Sequence, residues 1–278
     1  MDRQLPPILT AHLFSPLETK LLELLRALSP AEWETQTISP QWKVKEVAAH
    51  LLDTALRKLS LARDGWAAAT PSIRSAADLA AFVNEMNREG VGFFRRLSPA
   101  VLISLMEVAS RESSRYHESL DPMAQARFAV SWAGETTSLN WFDTAREFTE
   151  HWHHQQQIRL AVGRPGIMVR EFYYPVLDCF MRALPYAYRS VPARTGSLAQ
   201  FHISGDCGGD WYLNREDAGW RLLPTPAGDT ISETTIPQEI AWRIFTKGID
   251  RQSAVAQVGI SGDPAVGGHI LGMIAIVA

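Results

Sequence analysis

Cysteine is scarce: the 278-residue chain carries two, Cys179 and Cys207. Neither belongs to a closely spaced pair or a Cys-His cluster, which excludes a disulfide framework and a cysteine-rich zinc module. Both read as free thiols, and Cys207, in a glycine-rich turn without a neighbouring base, is a poor candidate nucleophile. A basic excess is lacking too. The net charge of −3 and an isoelectric point near 6.2 leave no electrostatic footprint for nucleic acid. Charges are scattered, without the like-charge runs of an interaction tail. No uncharged apolar run approaches the roughly 18 residues that a membrane span needs. Residues 1–7 show no basic start, apolar stretch or small-residue cleavage site of a secretory signal. These absences predict a cytoplasmic protein that binds neither membrane nor nucleic acid.

What is present is a composition with 46% apolar residues, enough for a core, in a length that suits two domains of ordinary size. The first two-thirds reads as helical. Ser15-Pro16-Leu17-Glu18 has the form of a capping box, and Leu21, Leu22, Leu25 and Leu28 follow at core spacing. Ser29-Pro30-Ala31-Glu32 repeats the signal for a short helix. Apolar residues at 44, 47, 48, 51, 52, 55, 56 and 59 predict a helix over 44–63 facing a bundle interior. Two amphipathic stretches follow at 76–97 and 99–119, and 127–137 reads as irregular. A helix over 140–162 should stop at Gly163, with Pro165 beyond. Another, over 169–189, carries Phe172, Tyr173, Val176, Leu177 and Phe180 as packing residues.

Beyond Ser190 the pattern changes to short alternating segments bounded by glycine and aspartate. Strands are expected at 198–204, 211–214, 220–223 and 231–235. A helix over 238–247 and a strand over 254–260 follow, and then a closing helix from Asp263 and Pro264 through Ile276. The tetrapeptide Ile-Ser-Gly-Asp occurs at 203–206 and at 260–263, each time as a strand ending in a tight turn.

The chemistry-bearing residues concentrate between 146 and 154. At 3.6 residues per turn, Glu147, His151 and His154 fall within about 60° of one another around a helix axis. A divalent metal needs three or four converging ligands, and an i,i+4 pair on one helix supplies two. His50 is the candidate third. It lies in the apolar segment 44–52, where an unpaired buried imidazole costs about a few kcal/mol. A shifted frame, Glu150 with His154, keeps the same spacing. His153 lies off that face and reads as structural or solvated. The plainer alternative is a His50 bonded to a carbonyl and a solvated 147–154 face.

The run Trp42-Lys43-Val44-Lys45-Glu46-Val47-Ala48-Ala49-His50-Leu51, followed about a hundred residues later by Glu147-x-x-x-His151, resembles the DinB-like superfamily. More closely, it is similar to the mycothiol-dependent maleylpyruvate isomerase family. The resemblance implies a two-domain α plus α+β fold: an up-and-down four-helix bundle over 1–167, a connecting helix over 168–190, and a small SCP2-like α+β domain over 191–278. Trp242-Arg243-Ile244-Phe245 and residues 260–278 extend the likeness into that second domain. It further implies a divalent metal, zinc first and nickel as an alternative, held by His50, Glu147 and His151. The family often carries aspartate where His154 stands, which makes His154 either a fourth ligand or a proton-transfer group.

Three protein ligands leave a position for water or substrate, the arrangement of a catalytic zinc. A thiol bound there would lose its proton and become a nucleophile at neutral pH. The resemblance implies a low-molecular-weight thiol as cosubstrate. Its thiolate adds to the cis double bond of maleylpyruvate, the resulting single bond rotates, and elimination gives fumarylpyruvate. His154 or Glu150 would move the proton, and Arg243 and Lys247 are the cations offered to the dianionic substrate. The expected partners are that small molecule and the thiol, with a homodimer as an option. Two other readings use the same residues: a hydrolase that activates water with Glu150 or His154 as base, and a non-catalytic scaffold whose C-terminal domain binds an apolar ligand.

Overall fold

Capping chemistry written in the sequence fixes several helix N-termini in the computed structural model, which describes residues 5–67 and 72–276. Helix α1 spans Phe14–Arg26, and a 3-10 turn over Ala11–Leu13 runs straight into it. Ser15 therefore lies inside the helix rather than capping it, a correction to the sequence expectation. In α2, Pro30–Trp33, the expected capping box forms: the Glu32 N–H donates to Ser29 Oγ and the Ser29 N–H donates to Glu32 Oε2. Helix α3, Val44–Lys58, passes into a π-helical turn at Leu59–Arg63. Its first turn is held by the Lys43 N–H, which donates to the Glu46 carboxylate at 2.9 Å. Helices α4, Ala76–Phe94, and α5, Pro99–Ser119, follow. Helix α6, Asn140–Ala161, ends as the sequence predicts: Gly163 adopts φ 64°, and the Arg164 N–H returns to the Arg159 carbonyl at 3.0 Å.

These six helices belong to one compact unit, Leu9–Arg127 with Leu139–Ile167. Leu21, Leu25, Val47, Leu51, Met106 and Ile158, from α1, α3, α5 and α6, share one apolar core. Fully burying a leucine of this kind stabilises by roughly 1.5–3 kcal/mol. Fifteen of the 22 residues of α6 are buried, many of them polar, so α6 runs through the interior of the unit rather than along its surface.

The second unit comprises Met168–Ile276 with Phe128–Ser138 and residues 5–8, two pieces that the sequence reading assigns to the bundle. The expected helix over 169–189 is two helices, α7 at Arg170–Met181 and α8 at Leu184–Ala187. Pro185, at the start of α8, has no N–H to continue the earlier ladder. Five strands form one mixed sheet: β1 Ser197–Ser204, β2 Gly209–Glu216, β3 Gly219–Leu223, β4 Asp229–Pro237 and β5 Gly259–Gly262. Their order is β3-β2-β1-β4-β5, with only the central β1–β4 pair parallel.

Helix α9 occupies Gln238–Phe245. The strand expected over 254–260 is corrected in two ways. The Asp250 carboxylate accepts from the Ser253 N–H and starts a short helix, α10, at Arg251–Val255, and the strand is confined to Gly259–Gly262. Asp263 caps α11, Pro264–Gly267, as the sequence predicts. The long closing helix does not form. The chain turns into a 3-10 segment at Gly268–Gly272, where positions 267, 268 and 272 are all glycine and so weak helix formers. Gly267 is there for close approach: a Cβ on it would meet Ser232 Oγ of β4 at 2.5 Å. Residues 277–278 of the expected C-terminal segment, like residues 1–4, lie outside the described residues. No described helix is long and apolar enough to cross a membrane.

Candidate metal centre

A helix that is buried on most sides must satisfy its polar side chains from neighbouring helices, and the neighbours of α6 differ from face to face. On one face, Glu150 Oε2 lies 3.5 Å from His153 Nδ1 and 3.6 Å from His154 Nε2. One donor atom from each of Glu150, His153 and His154 lies within 4.8 Å of the others, the one such cluster of metal-ligating side chains among the described residues. His50, from α3, sets its ring edge to face against His154 with centroids 4.6 Å apart, and Trp42 covers His50 at the same separation. The three histidines are 3–7% exposed. Nδ1 of His50 and Nδ1 of His153 are buried with no hydrogen-bond partner. His154 differs, with Nδ1 3.0 Å from Gln157 Oε1.

Electrostatics follow from that burial. It holds His50 and His153 well below the ordinary imidazole value and lowers His154 to about 4. All three are therefore neutral at pH 7, the state in which imidazole offers a lone pair to a metal. Burial also pushes the Glu150 carboxyl up to about 7; Arg146 opposes the rise and Glu147 adds to it. Uncharged imidazoles with unpartnered nitrogens beside a reluctant carboxylate form a donor set that a divalent cation of the zinc type fits, because it accepts nitrogen and oxygen ligands and supplies the missing positive charge.

The other face of α6 is already neutralised. Glu147 Oε1 accepts from Lys58 Nζ at 3.2 Å and from Arg146 at 2.6 Å, and Lys58 also reaches Asp143 at 2.9 Å. Burial would raise the Glu147 pKa, but Lys58 and Arg146 overcome it and hold the group below the usual carboxylate range. His151 Nδ1 pairs with Glu18 of α1, whose second oxygen accepts from Ser110 Oγ of α5 at 2.9 Å. Burial works against the charged form of His151, but Glu18, with Glu147 and Glu150, raises its pKa overall. The expected trio of His50, Glu147 and His151 is thus not the group that this structure gathers. Its two α6 members are held by partners from α1 and α3. His153 is buried and part of the gathered group, not solvated. Periodicity alone places it off the face; the run of polar residues from His153 to Gln157, all buried, was the available signal.

Arg243 and Lys247 belong to the sheet-bearing unit. Arg243 Nε donates to the Gly248 carbonyl at 3.2 Å. Lys247 has φ 60°, unusual for a residue with a side chain, and with Ile244, Ile249, Arg251 and Leu271 it lines a depression of about 180 Å³. Cys207 is a free thiol, 2% exposed, and burial raises its pKa, the reverse of what a nucleophile needs.

Residues 14–159, more than half of the chain, match the family model described as the mycothiol maleylpyruvate isomerase N-terminal domain. No curated protein matches the sequence. Among solved structures, the fold is similar to the crystal structure of a histidine-to-alanine mutant of the mycothiol-dependent maleylpyruvate isomerase, at 13% identity and a TM-score of 0.53, over 91% of this chain and 92% of that one. A second crystal structure of mycothiol-dependent maleylpyruvate isomerase aligns at 14% identity and a TM-score of 0.47, over 84% and 86% of the two chains. The segment that carries His50, Glu150, His153 and His154 lies inside the matched residues, and by that match the chain belongs to the mycothiol maleylpyruvate isomerase family.

Proposed function

We propose that this protein is a metal-dependent isomerase of the maleylpyruvate type that uses a low-molecular-weight thiol, and that His50, Glu150 and His154 hold its cation. The observation that carries the reading is the gathering of Glu150, His153 and His154, with the His50 ring against His154 and unpartnered nitrogens on His50 and His153, inside the family-matched segment. This is the shifted frame of the Glu-x-x-x-His spacing, and it moves Glu150 and His154 from proton transfer to ligation. A divalent cation bound there would favour the thiolate form of a thiol at neutral pH.

The residues then have separable tasks. His50 and His154 offer lone pairs from nitrogens that burial keeps unprotonated. His153, with Nδ1 3.5 Å from Glu150, completes the buried cluster beside the two ligands. Trp42, against His50 and His154, keeps water from that side of the rings. The thiolate sulfur adds to one carbon of the cis double bond, the new single bond rotates, and loss of the thiolate restores the double bond as trans. No atom is gained or lost overall. Arg243 and Lys247 are proposed, on the family resemblance alone, as counter-charges for a dianionic substrate.

The test is metal analysis of untagged protein purified without chelator, combined with turnover of maleylpyruvate with and without mycothiol. The expected result is about one divalent cation per chain and fumarylpyruvate formation that requires the thiol. Protein that refuses added zinc would overturn the metal reading, and thiol-independent turnover would overturn the isomerase reading.

A further inference from the structure

We infer that Gln157 is a positioning residue that fixes which nitrogen of His154 faces the metal centre. The inference rests on the proposed reading of His154 as a ligand. A neutral imidazole has one N–H and one lone pair, and the hydrogen bond made by one nitrogen decides what the other can offer. Gln157 Oε1 has no proton to give, so at 3.0 Å from His154 Nδ1 it requires the N–H on that nitrogen. The lone pair is then on Nε2, the nitrogen that faces Glu150 Oε2 at 3.6 Å.

The surroundings leave the ring little freedom to choose otherwise. Gln157 and His154 are each 7% exposed, so water does not compete for Nδ1. Both residues sit on α6, three positions apart, where side chains of a helix meet. The His50 ring presses edge to face on His154, and the Trp42 centroid lies 6.0 Å away. A ring packed in this way has its plane set by neighbours and its tautomer set by Gln157. Outer partners that orient a metal-bound histidine raise metal affinity, and losing one weakens binding by about 10–100-fold.

The experiment measures zinc affinity by chelator competition for wild type, Gln157→Met, Gln157→Glu and His154→Ala, together with the His154 tautomer in the metal-free wild type by long-range proton–nitrogen NMR. Expected are an Nδ1–H tautomer in the wild type, a loss of about 10–100-fold in Gln157→Met, and near wild-type affinity in Gln157→Glu, which keeps the acceptor. Wild-type affinity in Gln157→Met alongside lost affinity in His154→Ala would overturn the positioning role and leave the metal site standing. Wild-type affinity in His154→Ala would overturn the ligand reading itself. The tautomer needs no variant: an Nε2–H signature in the metal-free wild type defeats the inference even if Gln157→Met does not fold.

Discussion

Helix α6 carries two Glu-x-x-x-His pairs offset by three residues, and the two faces they occupy have opposite fates. Glu147 and His151 meet charge: Lys58 and Arg146 on the carboxylate, Glu18 on the imidazole. Glu150 and His154 meet rings: His50, His153 and Trp42, with nitrogens left unpartnered. An offset of three residues rotates a side chain by only about 60° and shifts it by about 4.5 Å. That small difference separates a pair whose charges are satisfied within the fold from a pair that is not. Correct ligand spacing is therefore necessary for a metal site and does not identify one. What distinguishes the two pairs is the kind of neighbour each meets: buried counter-charges for Glu147 and His151, neutral rings for Glu150 and His154.

The comparison is broken or sharpened most directly by metal content. Glu150→Ala and His154→Ala should each lose the bound cation, whereas Glu147→Ala and His151→Ala should keep it, as read by elemental analysis after dialysis. Reversal of that pattern would restore the first frame. Stability gives the next largest effect. Lys58→Met removes one member of a buried network with Asp143, Arg146 and Glu147 and leaves a carboxylate charge uncompensated. Its cost should be about 3–5 kcal/mol in urea unfolding. By contrast, His50→Leu should leave the metal-free protein about as stable as wild type, since Nδ1 has no partner to strand. A severe loss there would mean that the second face is structural after all.

The smallest effect is in pH dependence, and the two faces differ in sign. His154 binds a proton in the unfolded chain below about 6.5 but in the fold only near 4, so it removes stability as the pH falls between those values. His151 has a raised folded pKa, so its contribution is complete below the unfolded value and is lost as the pH rises through the folded one. In metal-free protein, His154→Phe should flatten the acid side of the stability profile and His151→Gln the alkaline side. Urea midpoints across the range would show it, and two difference curves of the same sign would contradict the assignment.

Much of the fold was legible because its signals are local. The Ser29–Glu32 capping box, the Gly163 stop of α6 and the Asp263 cap of α11 each depend on residues within one turn of chain. The misreadings have local causes as well. Ser15 looked like a cap until a preceding 3-10 turn carried the helix past it. The 254–260 strand gave way to α10 because Asp250 caps a helix there. Within the candidate site, spacing singled out α6 and offered two frames on it, of which the second, Glu150 with His154, is the one proposed to hold the cation. The partners that hold the first pair, Glu18 on His151 and Lys58 on Glu147, are 133 and 89 residues away in sequence.

By itself, then, the sequence determined that a buried histidine on one helix and a Glu/His-rich helix about a hundred residues later belong to a bundle of the mycothiol maleylpyruvate isomerase family. It also determined that the chain ends in a small mixed domain. Only the tertiary structure decided which carboxylate and which imidazole of α6 are held in buried ion pairs and which face neutral rings. The physical reason is that periodicity specifies the angle at which a side chain leaves its helix, whereas its charge state and its freedom to bind depend on side chains contributed by other helices.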